Sequence, residues 1–198
     1  MQNRFFVVLL HPLNTKFRYT VNMTAAKLDT FDVLIEIPKG SRNKYEYDFK
    51  LKKIRYDRML FSSMMYPADY GFVPETLALD GDPLDVLVLV TEPTFPGCVM
   101  EVKPIGVFHM ADEKGPDEKI ICVPVSDPIW NKLNDLDEVN PHLVKEIEHF
   151  FQVYKDLEHK KVDVEGWGDA AEARTIINEC VDRFEALENK PEELFSIR

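Results

Sequence analysis

The stretch "LDGDPLDVLVLV", Leu79 to Val90, places Asp80, Asp82 and Asp85 within six residues, and an apolar run follows at once. Like charges this close raise one another's energy, and burial adds to the cost. Such a cluster is either solvated or shared with something positive. In an extended segment residues 80 and 82 point to one side, while Asp85 has the opposite parity. Gly81 and Pro83 can bend the chain and bring all three together. Oxygen donors with no His or Cys nearby suit a hard cation: magnesium, manganese or calcium. A calcium EF-hand does not fit. Counting from Asp80, its sixth position would be Asp85 instead of glycine and its twelfth Thr91 instead of glutamate. An isolated Asp-Gly-Asp reads as an ordinary turn. The full DGDPLD spacing against a buried strand is more specific.

Other residues could share that chemistry. "ADEKGPDEK" carries Asp112, Glu113, Asp117 and Glu118 and closes on Lys119. Alone it is an exposed hairpin loop, and it gains meaning only by folding back onto the first cluster. Glu36, in "VLIEIP", shares a face with Leu34, opposite Val33, Ile35 and Ile37. The outer face of an edge strand would explain it equally well. "NKYEYD" offers Lys44 and Glu46, "RYDR" offers Arg58, "MYPADYG" offers Tyr66 and Tyr70, and "VYKDLE" offers Tyr154 and Lys155. Each has an ordinary reading as a surface cation or a packed tyrosine. The combination is another matter. Carboxylates hold divalent metals, metals hold phosphate oxygens, and Lys, Arg and Tyr take the remaining oxygens.

The elements that must position these residues are mostly strands between Phe31 and Val125. "FDVLIEIP" alternates and ends at the turn signal Pro38-Lys39-Gly40. "KYEYDF" and "KKIRYDRML" read as a hairpin or meander. "DVLVLV" is apolar on both faces, as a central strand would be. "VMEVKPIGVFHM" and "KIICVPV" form a further pair joined by the polar loop Ala111–Glu118. Two helices follow. Asn140 suits an N-cap and Pro141 the first helical position. Leu143, Ile147, Phe150, Phe151, Tyr154 and Leu157 then make one apolar stripe, on which core packing alone would account for Tyr154. A second helix starts near Asp169 and carries Ile176, Ile177, Cys180, Val181, Phe184 and Leu187. The expected fold is α+β and mainly β: a closed barrel with two C-terminal helices packed outside.

Composition narrows the function. The chain has 198 residues, enough for one domain with a real core, and 45% of them are hydrophobic. Arg4, Lys16, Arg18 and Lys27 give residues 1–28 a charge of +4, so the remainder carries −15 of the total −11. A domain this acidic repels nucleic acid and attracts cations. That argues against an OB-type oligonucleotide binder, which needs a basic groove with aromatic platforms. A plain cation buffer would have no use for Lys44, Arg58 and Lys155. A two-metal phosphatase acting on organic phosphates is the remaining rival. Cys98, Cys122 and Cys180 are odd in number and form no CxxC pair, which fits a reducing compartment. No apolar run approaches the roughly 18 residues of a membrane span. Residues 1–28 are expected to be an extension of unknown role ahead of a single domain, 29–198. Their apolar run Phe5–Leu10 is short for a secretory signal, and an organellar presequence over 1–22 is the alternative to a start at Met23.

The sequence resembles the soluble family I inorganic pyrophosphatases. The segments that carry the likeness are "IEIPKGSRNKYEYD", "YDRMLFSSMMYPADYGFVPETLALDGDPLDVLVL", "KPIGVFHMADEKGPDEKIICVPVSDP", "HFFQVYKDLE" and "VEGWGDAAEA", in family order from about Phe31 to Leu187. The resemblance implies an OB-like β-barrel and magnesium-dependent hydrolysis of pyrophosphate to two orthophosphates, by metal-activated water attacking in line. Manganese or zinc would substitute for magnesium. It implies Asp80, Asp85 and Asp117 as ligands of the activating metals, and Asp112 as a ligand of metal arriving with substrate, shared with Asp117. Glu36 and Glu46 would act at the far end of the site through water. Asp82 would be the general base and, with Asp117, one of the catalytic carboxylates. Lys44, Arg58, Tyr70, Tyr154 and Lys155 would bind pyrophosphate, with Lys119 and Tyr66 completing the cavity. A cytoplasmic homo-oligomer is implied, a homohexamer in preference to a dimer, with neither nucleic acid nor membrane as a partner.

Overall fold

The computed structural model describes residues 29–113 and 115–187. The expectations for residues 1–28, and the end of the domain beyond 187, lie outside them. The described chain is mainly β with two C-terminal helices. Its strands are β1 (Phe31–Ile37), β2 (Asn43–Asp48), β3 (Lys53–Met59), β4 (Asp69–Phe72), β5 (Asp85–Val88), β6 (Val99–Asp112), β7 (Gly115–Pro116), β8 (Lys119–Pro124) and β9 (Asp163–Asp169). The helices are α1 (Pro141–Val153) and α2 (Ala170–Glu185).

The β2–β3 hairpin stands apart as a two-stranded sheet. In the larger sheet β1 pairs with β4, β4 with β5, β5 with β8 and β8 with β6. β6 also pairs with β1, so the run of pairings returns to its first strand. β5 lies inside the sheet between β4 and β8, which is why both its faces are apolar. Val86 and Val88 pack with Val33, Ile35, Ile120 and Cys122, and α2 adds Ala173, Ile177 and Cys180 to that core. Leu87 and Leu89 turn the other way, to Ile121 and Val123, where α1 contributes Ile147, Phe150 and Phe151. The two helices therefore serve two separate cores.

The capping residues act as expected. The Asn140 side chain accepts from the His142 N–H (2.9 Å), and Asp169 accepts from the Glu172 N–H (2.8 Å). Two readings need correction. Ile37 does not share a core with Val33 and Ile35. The β1–β4 register shifts between Ile35 and Ile37, which moves Ile37 into the α1 core. α1 ends at Val153 with Tyr154 as its C-cap, so Leu157 falls in a 3₁₀ turn and is 59% exposed. Two strands gave no usable pattern: β4 has four residues, and β9, "DVEGWGD", is polar with two glycines. Gly71 explains how β4 fits. A Cβ there would run into the Leu34 carbonyl of β1, so only glycine permits this approach.

Candidate active site

The acidic motif sits on the loop from β4 to β5. Its neck is closed by the Val73 N–H donating to the Leu84 carbonyl (2.9 Å). Inside it, the Ala78 N–H donates to the Asp82 carbonyl (2.8 Å) and the Asp82 N–H to Asp80 Oδ1 (3.1 Å). Gly81 takes φ +91°, a left-handed conformation that a side chain would resist. This bend brings Asp80 and Asp82 to the same cavity as Asp85, the first residue of β5.

That cavity has a volume of 580 Å³. β1 supplies Glu36, and the β2–β3 hairpin supplies Lys44, Glu46 and Arg58. Tyr66 and Tyr70 enter before and from β4, and Asp80, Asp82 and Asp85 from the acidic loop. The β6–β8 connection folds back onto them with Asp112, Asp117 and Lys119, and the end of α1 adds Tyr154 and Lys155. All fourteen residues to which the family resemblance gives a role thus line one cavity, as does Glu113, whereas Glu118 of the second acidic stretch does not. Tyr154 also packs on Phe150 (5.1 Å between ring centroids), so it is both core and wall.

Charge compensation is already built in. Lys119, 2% exposed, donates to both Asp85 and Asp117, and the Tyr70 hydroxyl donates to Asp85. Burial pulls the Lys119 ammonium down, but Asp85 and Asp117 outweigh it and hold its pKa above the ordinary lysine value. Burial raises the Asp117 and Asp80 carboxyls, against the pull of Lys119 on Asp117 and of the Asp82 N–H on Asp80. Burial pushes Glu36 up to about 8 even though its carboxylate accepts the Tyr47 N–H at 2.6 Å. Elsewhere on the cavity wall Lys155 donates to Asp112 at 2.9 Å.

Among the described residues the cavity wall offers many carboxylates and no His or Cys, a donor set for a hard divalent cation. No three acidic, His or Cys side chains among those residues form a ready-made metal cage, and an ammonium holds Asp85 and Asp117 instead. Sequence reasoning missed three contributors. Glu158, which does not itself line the cavity, grips Arg58 through two bonds, Nε to Oε1 (3.1 Å) and Nη2 to Oε2 (2.9 Å). Asp57 also bonds Arg58 and lies 3.6 Å from Lys44. Lys160 pairs with Glu113 at 2.7 Å. Of these, Glu158 had a signal, lying in "YKDLE" four residues beyond Tyr154.

A mixed β fold with one cavity lined by carboxylates, lysines, an arginine and tyrosines offers the groups that can handle a phosphate compound together with a divalent cation. Residues 33–185 match the family described as inorganic pyrophosphatase, and the chain belongs to that family of hydrolases acting on diphosphate bonds. It is 62% identical over 152 residues to an inorganic pyrophosphatase of Methanosarcina mazei, covering 77% of this chain and 90% of the relative. A Leifsonia xyli inorganic pyrophosphatase is 53% identical over 160 residues, covering 80% and 98%. The crystal structure of inorganic pyrophosphatase from Thermus thermophilus superposes with a TM-score of 0.78 at 45% identity, covering 80% of this chain and 92% of that one.

Proposed function

We propose that this cavity hydrolyses magnesium pyrophosphate to two orthophosphates by in-line attack of water. The observation that carries the reading is the convergence of all fourteen selected side chains on one 580 Å³ cavity. Asp80, Asp85 and Asp117 would hold the activating cations, Asp112 one that enters with substrate, and Glu36 and Glu46 would act through water. Magnesium, with manganese or zinc as substitutes, supplies positive charge to substrate oxygens and acidifies water when bound. Asp82, on the exposed rim of the loop, accepts the proton of the attacking water. Lys44 and Arg58 take the charge that develops on the departing phosphate. Tyr70, Tyr154 and Lys155 orient the other phosphoryl group, and Tyr66 and Lys119 close the wall. Phosphoryl transfer needs little covalent chemistry from a protein, so position and charge suffice.

The strand pairings that return to β1 support the OB-like closed barrel, and residues 29–198 are read as one domain. We place the enzyme in the cytoplasm as a homohexamer in preference to a dimer. Three free thiols fit a reducing compartment, and the preference for a hexamer follows from the family resemblance. The test is phosphate release from pyrophosphate by wild type and Asp82→Asn, in magnesium and in EDTA. Magnesium-dependent release should fall at least a hundredfold in the variant, on the order expected for a general base. Near wild-type turnover in Asp82→Asn removes Asp82 from that role, and no release by folded wild type in magnesium removes the activity.

A further inference from the structure

The loop that carries the acidic motif is held from behind by two side chains that do not line the cavity. Thr76, fully buried, donates its hydroxyl to the Val73 carbonyl (2.6 Å) and accepts the Leu84 N–H (2.9 Å). It therefore ties the two ends of the loop together. Leu77, three residues before Asp80, is gripped on both backbone groups by α2. Its N–H donates to the Cys180 carbonyl (2.9 Å), and its carbonyl accepts Arg183 Nε–H (2.9 Å). Arg183 Nη2 also donates to Cys180 Sγ (3.0 Å), which fixes the guanidinium plane. Paired backbone bonds set the direction of a peptide. Glu75, between these anchors and β4, is held at φ +58°, so the loop keeps a conformation that an unanchored chain would leave.

We propose that Thr76 and Arg183 are positioning residues for the reaction, holding the 73–84 loop in the shape that aims Asp80 and Asp82 into the cavity beside Asp85. α2 lends no described side chain to the cavity wall, yet through Leu77 it sets the cation affinity of the acidic loop. The proposal rests on the reading that these carboxylates hold divalent cations.

The test is manganese binding by the full-length, metal-stripped protein, measured by titration calorimetry, with unfolding midpoints taken in EDTA. Thr76→Val keeps the shape and removes both hydroxyl bonds; Thr76→Ser keeps them. Arg183→Ala frees the Leu77 carbonyl, and Arg183→Lys retains one donor. Thr76→Val and Arg183→Ala should each weaken manganese binding about tenfold, the usual scale for groups that orient metal ligands. Thr76→Ser should stay within about twofold of wild type, and so should Arg174→Ala, which on the same helix bonds the Ala170 carbonyl instead of the loop. The magnesium concentration for half-maximal activity should rise with the binding constant, while kcat at saturating magnesium recovers. Should Thr76→Val not fold, the Arg183 pair makes the same comparison. Lowered midpoints with unchanged manganese affinity in both variants overturn the proposal. Asp85→Ala separates the two layers. If it too binds manganese as wild type does, the ligand reading fails and the proposal with it; if it binds weakly while Thr76→Val and Arg183→Ala do not, the proposal alone fails.

Discussion

Replacing Lys119 by Met tests whether one ammonium holds the cavity together in the absence of metal. Its Nζ donates to both Asp85 and Asp117, and the side chain is almost wholly enclosed. Met matches the unbranched stem and removes only the charge. Two carboxylates are then left facing each other, one of them, Asp117, already raised by burial. Deleting one partner of a buried ionic group costs about 3–5 kcal/mol. In a chain of this length 1 kcal/mol moves the midpoint by about 2–4 °C, so Lys119→Met should unfold roughly 6–20 °C below wild type in EDTA. Magnesium should reverse much of that deficit. A cation at a hundred times its Kd contributes about 2.7 kcal/mol, and the variant no longer sets an ammonium against it. The assay is thermal unfolding followed by circular dichroism, both proteins, in EDTA and in millimolar magnesium. Equal midpoints in EDTA would refute the charge argument. A deficit that widens in magnesium would refute the idea that cation and ammonium serve the same carboxylates.

Glu158→Gln keeps the shape of the group that grips Arg58 but loses its charge and one acceptor. A charge-assisted bond of this kind is worth about 1.5–3 kcal/mol, so kcat/KM for pyrophosphate should fall at least about tenfold; unchanged steady-state kinetics would show that Arg58 needs no such support. Gly71→Ala should destabilise the chain by about 3 kcal/mol or more, because its Cβ meets backbone that cannot turn aside, and a denaturation midpoint equal to wild type would contradict the close β1–β4 approach. Cys98 should be the one thiol labelled in the native chain near neutral pH. Burial drives the Cys122 thiol far above its usual range and pushes Cys180 up to about 11, leaving little thiolate at either. Mass spectrometry showing rapid labelling of all three without denaturant would count against these cores.

Much of the site was legible because its residues are clustered in sequence for a local reason. Asp80, Gly81, Asp82, Pro83 and Asp85 form their own turn, and the bonds that shape it are mostly within the loop. The helix starts were legible too, since Asn140-Pro141 and Asp169 act through neighbours two or three residues away. Glu36 was ambiguous for the opposite reason. Alternation alone left it on the outer face of a strand, and the register shift after Ile35 that accompanies its turn into the cavity arises in the pairing with β4. β4 itself is four residues long and depends on Gly71, whose meaning lies in the Leu34 carbonyl it faces.

By itself the sequence determined which groups are available for chemistry: oxygen donors without His or Cys, cations and tyrosines able to take phosphate oxygens, and a strong excess of acidic over basic residues. It also determined a mainly β fold with two capped helices, because alternation and capping are local physics. Only the tertiary structure decided which of these groups meet. The Arg58–Glu158 pair and the Arg183–Leu77 bond each join residues about a hundred positions apart. Lys119 stands between two carboxylates because β8 is laid beside β5. Contacts of that span follow from how strands pair and helices pack, and no local pattern carries them.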